Sequence, residues 1–66
     1  MSETKYADYV VNVGETWDDL EPVDSAFTLE EGIDKAKATK TKCQEVVYSP
    51  AEDQNYPDYV VWRNKP

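Results

Sequence analysis

The chain has 66 residues and a formal net charge of −7, and 39% of its residues are hydrophobic and 12% aromatic. This length allows one domain with a thin core and leaves no room for a second. The aromatic content is too high for a fully disordered acidic tail, and no run approaches the ~20 apolar residues that span a bilayer. We therefore expect a single small domain over residues 1–66 and no membrane segment.

The first expected element is a β-strand from Tyr6 to about Val13, because Tyr and Val suit a half-buried pleated surface. Strict alternation places four residues on the face that should meet the core: Ala7, Tyr9, Val11 and Val13. The first six residues of this strand return at positions 56–61 with five of six identical. Either two strands of one sheet have similar composition or a binding edge is duplicated, and the narrow composition of strands favours the former.

Residues 15–25 contain Trp17 among several carboxylates and follow a turn expected at Gly14. We predict a short, irregular strand here, around residues 16–21. An acidic loop closed by Pro22 is the alternative.

A helix is predicted from Leu29 to about Thr41. Thr28 and Glu31 form a capping box, in which each side chain satisfies a free backbone N–H. Acidic residues come first and lysines last, as the helix dipole favours. Leu29, Ile33 and Ala36 form a narrow apolar stripe, and Gly32 beside it would permit close approach to a sheet.

Two more strands are expected at residues 44–48 and from Tyr56 to about Arg63, joined by a loop of turn-forming residues at 49–55. Pro57 belongs at a strand start or a sheet edge because it has no N–H. The predicted fold is α+β, with one helix packed on a small antiparallel sheet of three to four strands in the order β-β-α-β-β.

The composition argues against an enzyme. The chain has no histidine, which is the commonest general base and metal ligand near neutral pH. We expect Cys43 to be a small buried residue and not a reactive thiol. The acidic residues at 18–24 lack the spacing of a calcium loop, and the two glycines form no phosphate loop. We therefore predict no catalytic residue, no cofactor and no metal.

Charge is distributed unevenly along the chain. Residues 1–34 contain ten Asp or Glu and one Lys, whereas residues 35–66 contain four acidic and six basic residues. A strongly acidic face repels nucleic acid and attracts basic protein surfaces, and an aromatic side chain within it can anchor an interface. The predicted partner-binding residues are Glu15, Trp17, Asp18, Asp19, Glu21, Asp24, Glu30 and Glu31. The alternative is that these carboxylates only keep a small protein soluble.

The acidic first half, the helix start at Thr28–Glu31 after a two-stranded segment, and the final strands resemble small acidic phage-encoded inhibitors of host enzymes or defence complexes. The resemblance is one of organisation and extends to no single motif. It implies a non-enzymatic, anti-defence inhibitor, a possible DNA mimic, that occludes a basic, nucleic-acid-binding surface of a larger host protein. It implies no direct binding of nucleic acid.

A second hypothesis is a small structural or assembly module. An exposed edge strand, at residues 56–62 or in the related segment 6–11, would then pair with another chain by strand addition. Such self-association would be insensitive to salt, and a homodimer is left open. The single cysteine and the absence of a signal-like N-terminus favour the cytoplasm, which would be that of the host cell if the protein is phage-encoded.

Overall fold

The computed structural model describes residues 7–50, 55 and 57–65. Its elements are β1 (Tyr9–Gly14), β2 (Glu21–Ala26), α1 (Leu29–Ala38), β3 (Cys43–Tyr48) and β4 (Tyr59–Arg63). The strands form one antiparallel sheet in the spatial order β2-β1-β3-β4, and α1 packs across β1, β3 and β2. The predicted α+β class, with one helix on an antiparallel sheet, is confirmed.

The core lies between α1 and the central strands. Val11 and Val46, which are directly opposite each other in the β1–β3 register, are fully buried and pack with Val13 and Ala36. Tyr9, Leu29, Ile33, Val61 and Trp62 cover this cluster from its sides. The predicted inward face of the first strand is therefore correct for Val11 and Val13, and Tyr9 packs against the same core. Ala7 is half-buried.

Gly32 brings the helix close to the sheet, as predicted. A Cβ at this position would lie 3.0 Å from Cγ1 of Val46 and 3.6 Å from the Cβ of Ala26. Real Cβ contacts are rarely this short. The helix therefore lies this close to the sheet only because residue 32 has no side chain. Gly32 thus lowers the helix propensity of α1 but permits its tight packing on β2 and β3.

Two predicted boundaries need correction. The second strand begins at Glu21, after a turn over residues 15–20, and not near Thr16. Pro22 lies within this strand, which is possible because β2 is a sheet edge. The helix ends at Ala38, three residues early. The hydroxyl of Thr39 donates to the carbonyl of Ala36, and Lys40 has a positive φ of 58°, which stops the helix.

The first strand is described from its Tyr9 start and the fourth from its Tyr59 start. The predicted starts at Tyr6 and Tyr56, and positions 51–54 of the loop, lie outside the described residues. Near these strand ends three tyrosine rings cross the sheet. The ring centroids of Tyr9 and Tyr48 are 5.3 Å apart, and those of Tyr48 and Tyr59 are 5.8 Å apart. Such tilted aromatic pairs stabilise adjacent strands.

The opposite end of the sheet is fastened by Asn64. Its side chain accepts a hydrogen bond from the Gln44 N–H and donates one to the Lys42 carbonyl, and its own N–H donates to the Gln44 carbonyl. These bonds continue the β3–β4 ladder past the end of β4. The C-terminal end of β4 is therefore held beside the start of β3.

Candidate functional site

Most of the predicted binding residues lie along one side of the molecule. The acidic side comprises the β1–β2 turn (residues 15–20), the edge strand β2, and the first turn of α1. Seven of the eight predicted residues are exposed, and Glu31 is half-buried. The turn is closed by a hydrogen bond from the Asp19 N–H to the Thr16 carbonyl, at 3.2 Å. Because the turn and the helix start lie at opposite ends of β2, the carboxylates extend along the whole edge.

Lys35 neutralises part of this side. Its Nζ lies 3.2 Å from Glu31, 3.5 Å from Asp24, and 2.7 Å from the Ser25 carbonyl oxygen, to which it donates. Glu31 also accepts a hydrogen bond from the Phe27 N–H. That bond and the contact with Lys35 lower the pKa of Glu31, while Glu31 raises the pKa of Lys35. Glu31 and Asp24 therefore have structural partners within the chain.

The other predicted carboxylates lie outside the Lys35 cluster. Within the described part of the chain no salt bridge engages the remaining members of the predicted set, which are Glu15, Asp18, Asp19, Glu21 and Glu30. All five are exposed. Lys37, Lys40 and Lys42 lie at the helix end and before β3, whereas Arg63 and Lys65, at the end of β4, lie beside the acidic turn.

The ring of Trp17, in the acidic turn, is contacted by two basic side chains of the same chain. The guanidinium carbon of Arg63 lies 5.4 Å from its ring centroid, and the ammonium of Lys65 lies 5.8 Å away. The side chain remains 36% exposed. Two cations from the C-terminal end of the chain therefore already occupy the π-surface that was predicted to anchor a partner. The contact holds the β1–β2 turn against the end of β4.

Two exposed apolar residues, Val23 and Phe27, were missing from the predicted set. Val23 is the extra residue of a β-bulge in β2, because Asp24 pairs with Val11 while Pro22 pairs with Asn12. It is 52% exposed. Nothing in the strand pattern marks this bulge.

Phe27, by contrast, has a signal in the sequence. It precedes the N-cap Thr28, where an apolar residue normally packs against the fourth helical residue. That residue is Gly32, which offers no side chain, and Phe27 is left 51% exposed. Because Gly32 has no side chain to pack against Phe27, the Phe27 ring stays exposed beside the carboxylates of the first turn of α1.

Among residues 7–50, 55 and 57–65 there is no pocket and no group of three or more potential metal ligands. Cys43 is buried, as predicted, and its thiol points at the Glu15 carbonyl oxygen, 3.7 Å away. No helix in the described part of the chain is long and apolar enough to cross a bilayer.

Comparison of the chain with models of protein families, with curated proteins and with solved structures finds no match. The exposed carboxylates, the engaged Trp17, and the exposed Val23 and Phe27 are the distinctive features of the surface.

Proposed function

We propose that this protein is a non-enzymatic binding protein that docks its acidic side on a basic surface of a larger protein. The observation that carries the proposal is the placement of Val23 and Phe27, both about half exposed, on an edge lined by Glu21 and Glu30. Interfaces commonly combine a desolvated apolar centre with charged residues around it. Carboxylates that serve only solubility require no apolar residues among them.

The partner class follows from the charge. A row of carboxylates along a rigid edge attracts Lys and Arg side chains and repels phosphates, so the occupant is a protein surface that itself binds nucleic acid. The protein would act there as an inhibitor that mimics nucleic acid and occludes the basic surface. An anti-defence role against a host complex, in the cytoplasm of a phage-infected cell, fits this activity. The resemblance to phage-encoded inhibitors supports this assignment.

The anchoring residues in this proposal differ from the sequence hypothesis. Trp17 lies at the margin of the proposed interface, because Arg63 and Lys65 already cover its ring. Phe27 and Val23 supply the apolar centre, while Glu15, Asp18, Asp19, Glu21 and Glu30 supply the field. Asp24 and Glu31 serve mainly to hold Lys35, which ties α1 to β2.

The test is an affinity capture from lysate of the source cell or its host, with and without excess competing DNA, followed by binding measurements on the recovered protein. The variant Glu21→Lys/Glu30→Lys should lose binding, and that of the native protein should weaken steeply with salt. Asp58→Lys is the control. It also replaces a carboxylate with a lysine, but beside the opposite sheet edge, β4, and it should bind normally. Phe27→Ala should weaken binding by about tenfold or more, whereas Val60→Ala should not.

Recovery of a nucleic-acid-binding protein that DNA displaces, together with this pattern of variants, supports the proposal. Normal binding by Glu21→Lys/Glu30→Lys at physiological salt overturns it. Recovery only of partners that are indifferent to DNA also counts against nucleic-acid mimicry.

A further inference from the structure

The two edges of the sheet differ in how well they can accept another strand. β2 contains Pro22, which has no N–H, and the carboxylates Glu21 and Asp24, and these features discourage strand addition. Both edge strands contain a bulge, at Val23 in β2 and at Val61 in β4. β4 has the sequence YVVWR, with no proline between its ends. Tyr59 is 50% exposed and Val60 is 38% exposed on this edge. One edge is thus protected and the other presents a β-prone, apolar strand.

The backbone of β4 can accept a neighbour. The N–H of Asn64 donates to the Gln44 carbonyl and so points toward β3. Successive N–H groups of a strand point to alternate sides, so the N–H of Arg63 points away from β3, toward the side on which the described residues place no further strand. Polar backbone groups along such an edge must bond to water or to another strand.

Side chains on β4 also suit pairing with an identical strand. A bulge at Val61 places Val60 opposite Val47 and Arg63 opposite Glu45, so Val60 and Arg63 share the sheet face that is turned away from α1. Asp58 immediately precedes the strand, and Arg63 ends it. An antiparallel copy brings the Asp58 end of each strand to the Arg63 end of the other. A parallel copy would place like charges together.

We propose that the protein self-associates through β4, which pairs antiparallel with β4 of a second copy across a two-fold axis. The two four-stranded sheets then form one continuous eight-stranded sheet. The interface is isologous, so every contact occurs twice. Five residues per strand make a small interface, so the dimer dissociates in the micromolar range or above. This dimer leaves the acidic β2 edge of each copy open, and the inference does not depend on the function proposed above.

Sedimentation velocity of the full chain from about 10 µM to about 1 mM should show a monomer–dimer equilibrium. The dimer should persist at ~0.5 M salt, since backbone hydrogen bonds and apolar contacts hold it. Val60→Lys should raise its dissociation constant by at least about tenfold, because two lysines would meet near the axis. Val23→Lys, the same change at the β2 edge, should leave the dissociation constant unchanged.

Circular dichroism would detect a folding defect in Val60→Lys. A charge swap between Asp58 and Arg63 gives a second test that does not depend on that variant. Asp58→Arg should weaken the dimer by about tenfold, as two pairs of like charges then face each other. Adding Arg63→Asp should restore the affinity to within about threefold of the native value. A native chain that stays monomeric throughout overturns the proposal. So does a dimer that tolerates both Val60→Lys and Asp58→Arg, or one that Val23→Lys disrupts.

Discussion

The guanidinium carbon of Arg63 lies 5.4 Å from the ring centroid of Trp17 and so connects the β1–β2 turn to the end of the distant strand β4. These residues are 46 positions apart in the sequence. A second contact of this turn joins it to the start of β3, where the Cys43 thiol donates to the Glu15 carbonyl. The two contacts make the acidic turn part of the folded unit and not a loose loop.

Arg63→Gln should therefore destabilise the protein by about 0.5–1 kcal/mol, the usual contribution of a cation–π contact at an exposed site. Urea unfolding gives this value. Lys42→Gln is the matched control, because it removes one positive charge outside α1 whose side chain makes no contact in the described structure. In a Trp17→Leu background the effect of Arg63→Gln should shrink. An undiminished loss in that background would assign the stabilisation to another contact of Arg63.

Gly32→Ala should destabilise the protein even though alanine favours helix by about 1 kcal/mol. The added methyl group would lie 3.0 Å from Cγ1 of the fully buried Val46. Overpacking of a core costs about 1–3 kcal/mol, so a net loss of ~1 kcal/mol is expected. Thermal and urea unfolding both measure it.

The Val46→Ala background supplies the control, because it removes the γ-carbons that the new methyl group would meet. There, Gly32→Ala should be neutral or stabilising, through its helix propensity alone. If the substitution destabilised both backgrounds equally, the close approach of α1 to β3 would not be the reason for the glycine.

Gly14→Ala should be more damaging than Gly32→Ala. Its Cβ would overlap the backbone carbonyl oxygen of Asp19, so the turn over residues 15–20 would have to shift as a whole. A loss of about 2–3 kcal/mol is expected, at the upper end for single substitutions. Acrylamide quenching of Trp17 in a Trp62→Phe background should rise in parallel, because the turn also carries Trp17 to Arg63. A stable variant with unchanged quenching would contradict this tight closure.

The sequence predicted the structural features that depend on residues close to one another in the chain. The helix start follows from Thr28 and Glu31, because an N-cap is recognisable within four residues. The alternation of Val11 and Val13 likewise identifies the buried face of β1. These features depend on short-range periodicity and capping, which a sequence displays directly.

Features set by tertiary contacts were missed. The second strand was placed too early, because Pro22 reads as a strand breaker until the strand is known to be an edge. The helix end was missed because Thr39 and Lys40 form a stop without glycine. For the site, the charge pattern predicted eight residues, of which the structure exposes seven, but the contact of Trp17 with Arg63 depends on strand order, which the sequence pattern does not define.

The capping contacts of Glu31 predict a specific loss of stability in acid. The pKa of Glu31 is lowered below its ordinary value of 4.5 by the Phe27 N–H and by Lys35. A carboxyl group with a lowered pKa in the folded state stabilises the protein above its unfolded pKa, and this contribution is lost as pH falls through the folded pKa. Glu31→Gln should therefore unfold at a lower temperature than the native chain near pH 7. The difference should close as pH falls below about 4.5.

Glu30→Gln is the matched control, since it removes a carboxylate from the same helical turn but breaks neither of the two contacts of Glu31. It should change the pH dependence less than Glu31→Gln does. The two profiles, measured as unfolding midpoints from pH 3 to 7 at low salt, separate the general attraction of the helix N-terminus for negative charge from the specific contacts of Glu31. Identical profiles would show that the helix dipole alone accounts for the effect, and that Lys35 does not bridge β2 and α1 in solution.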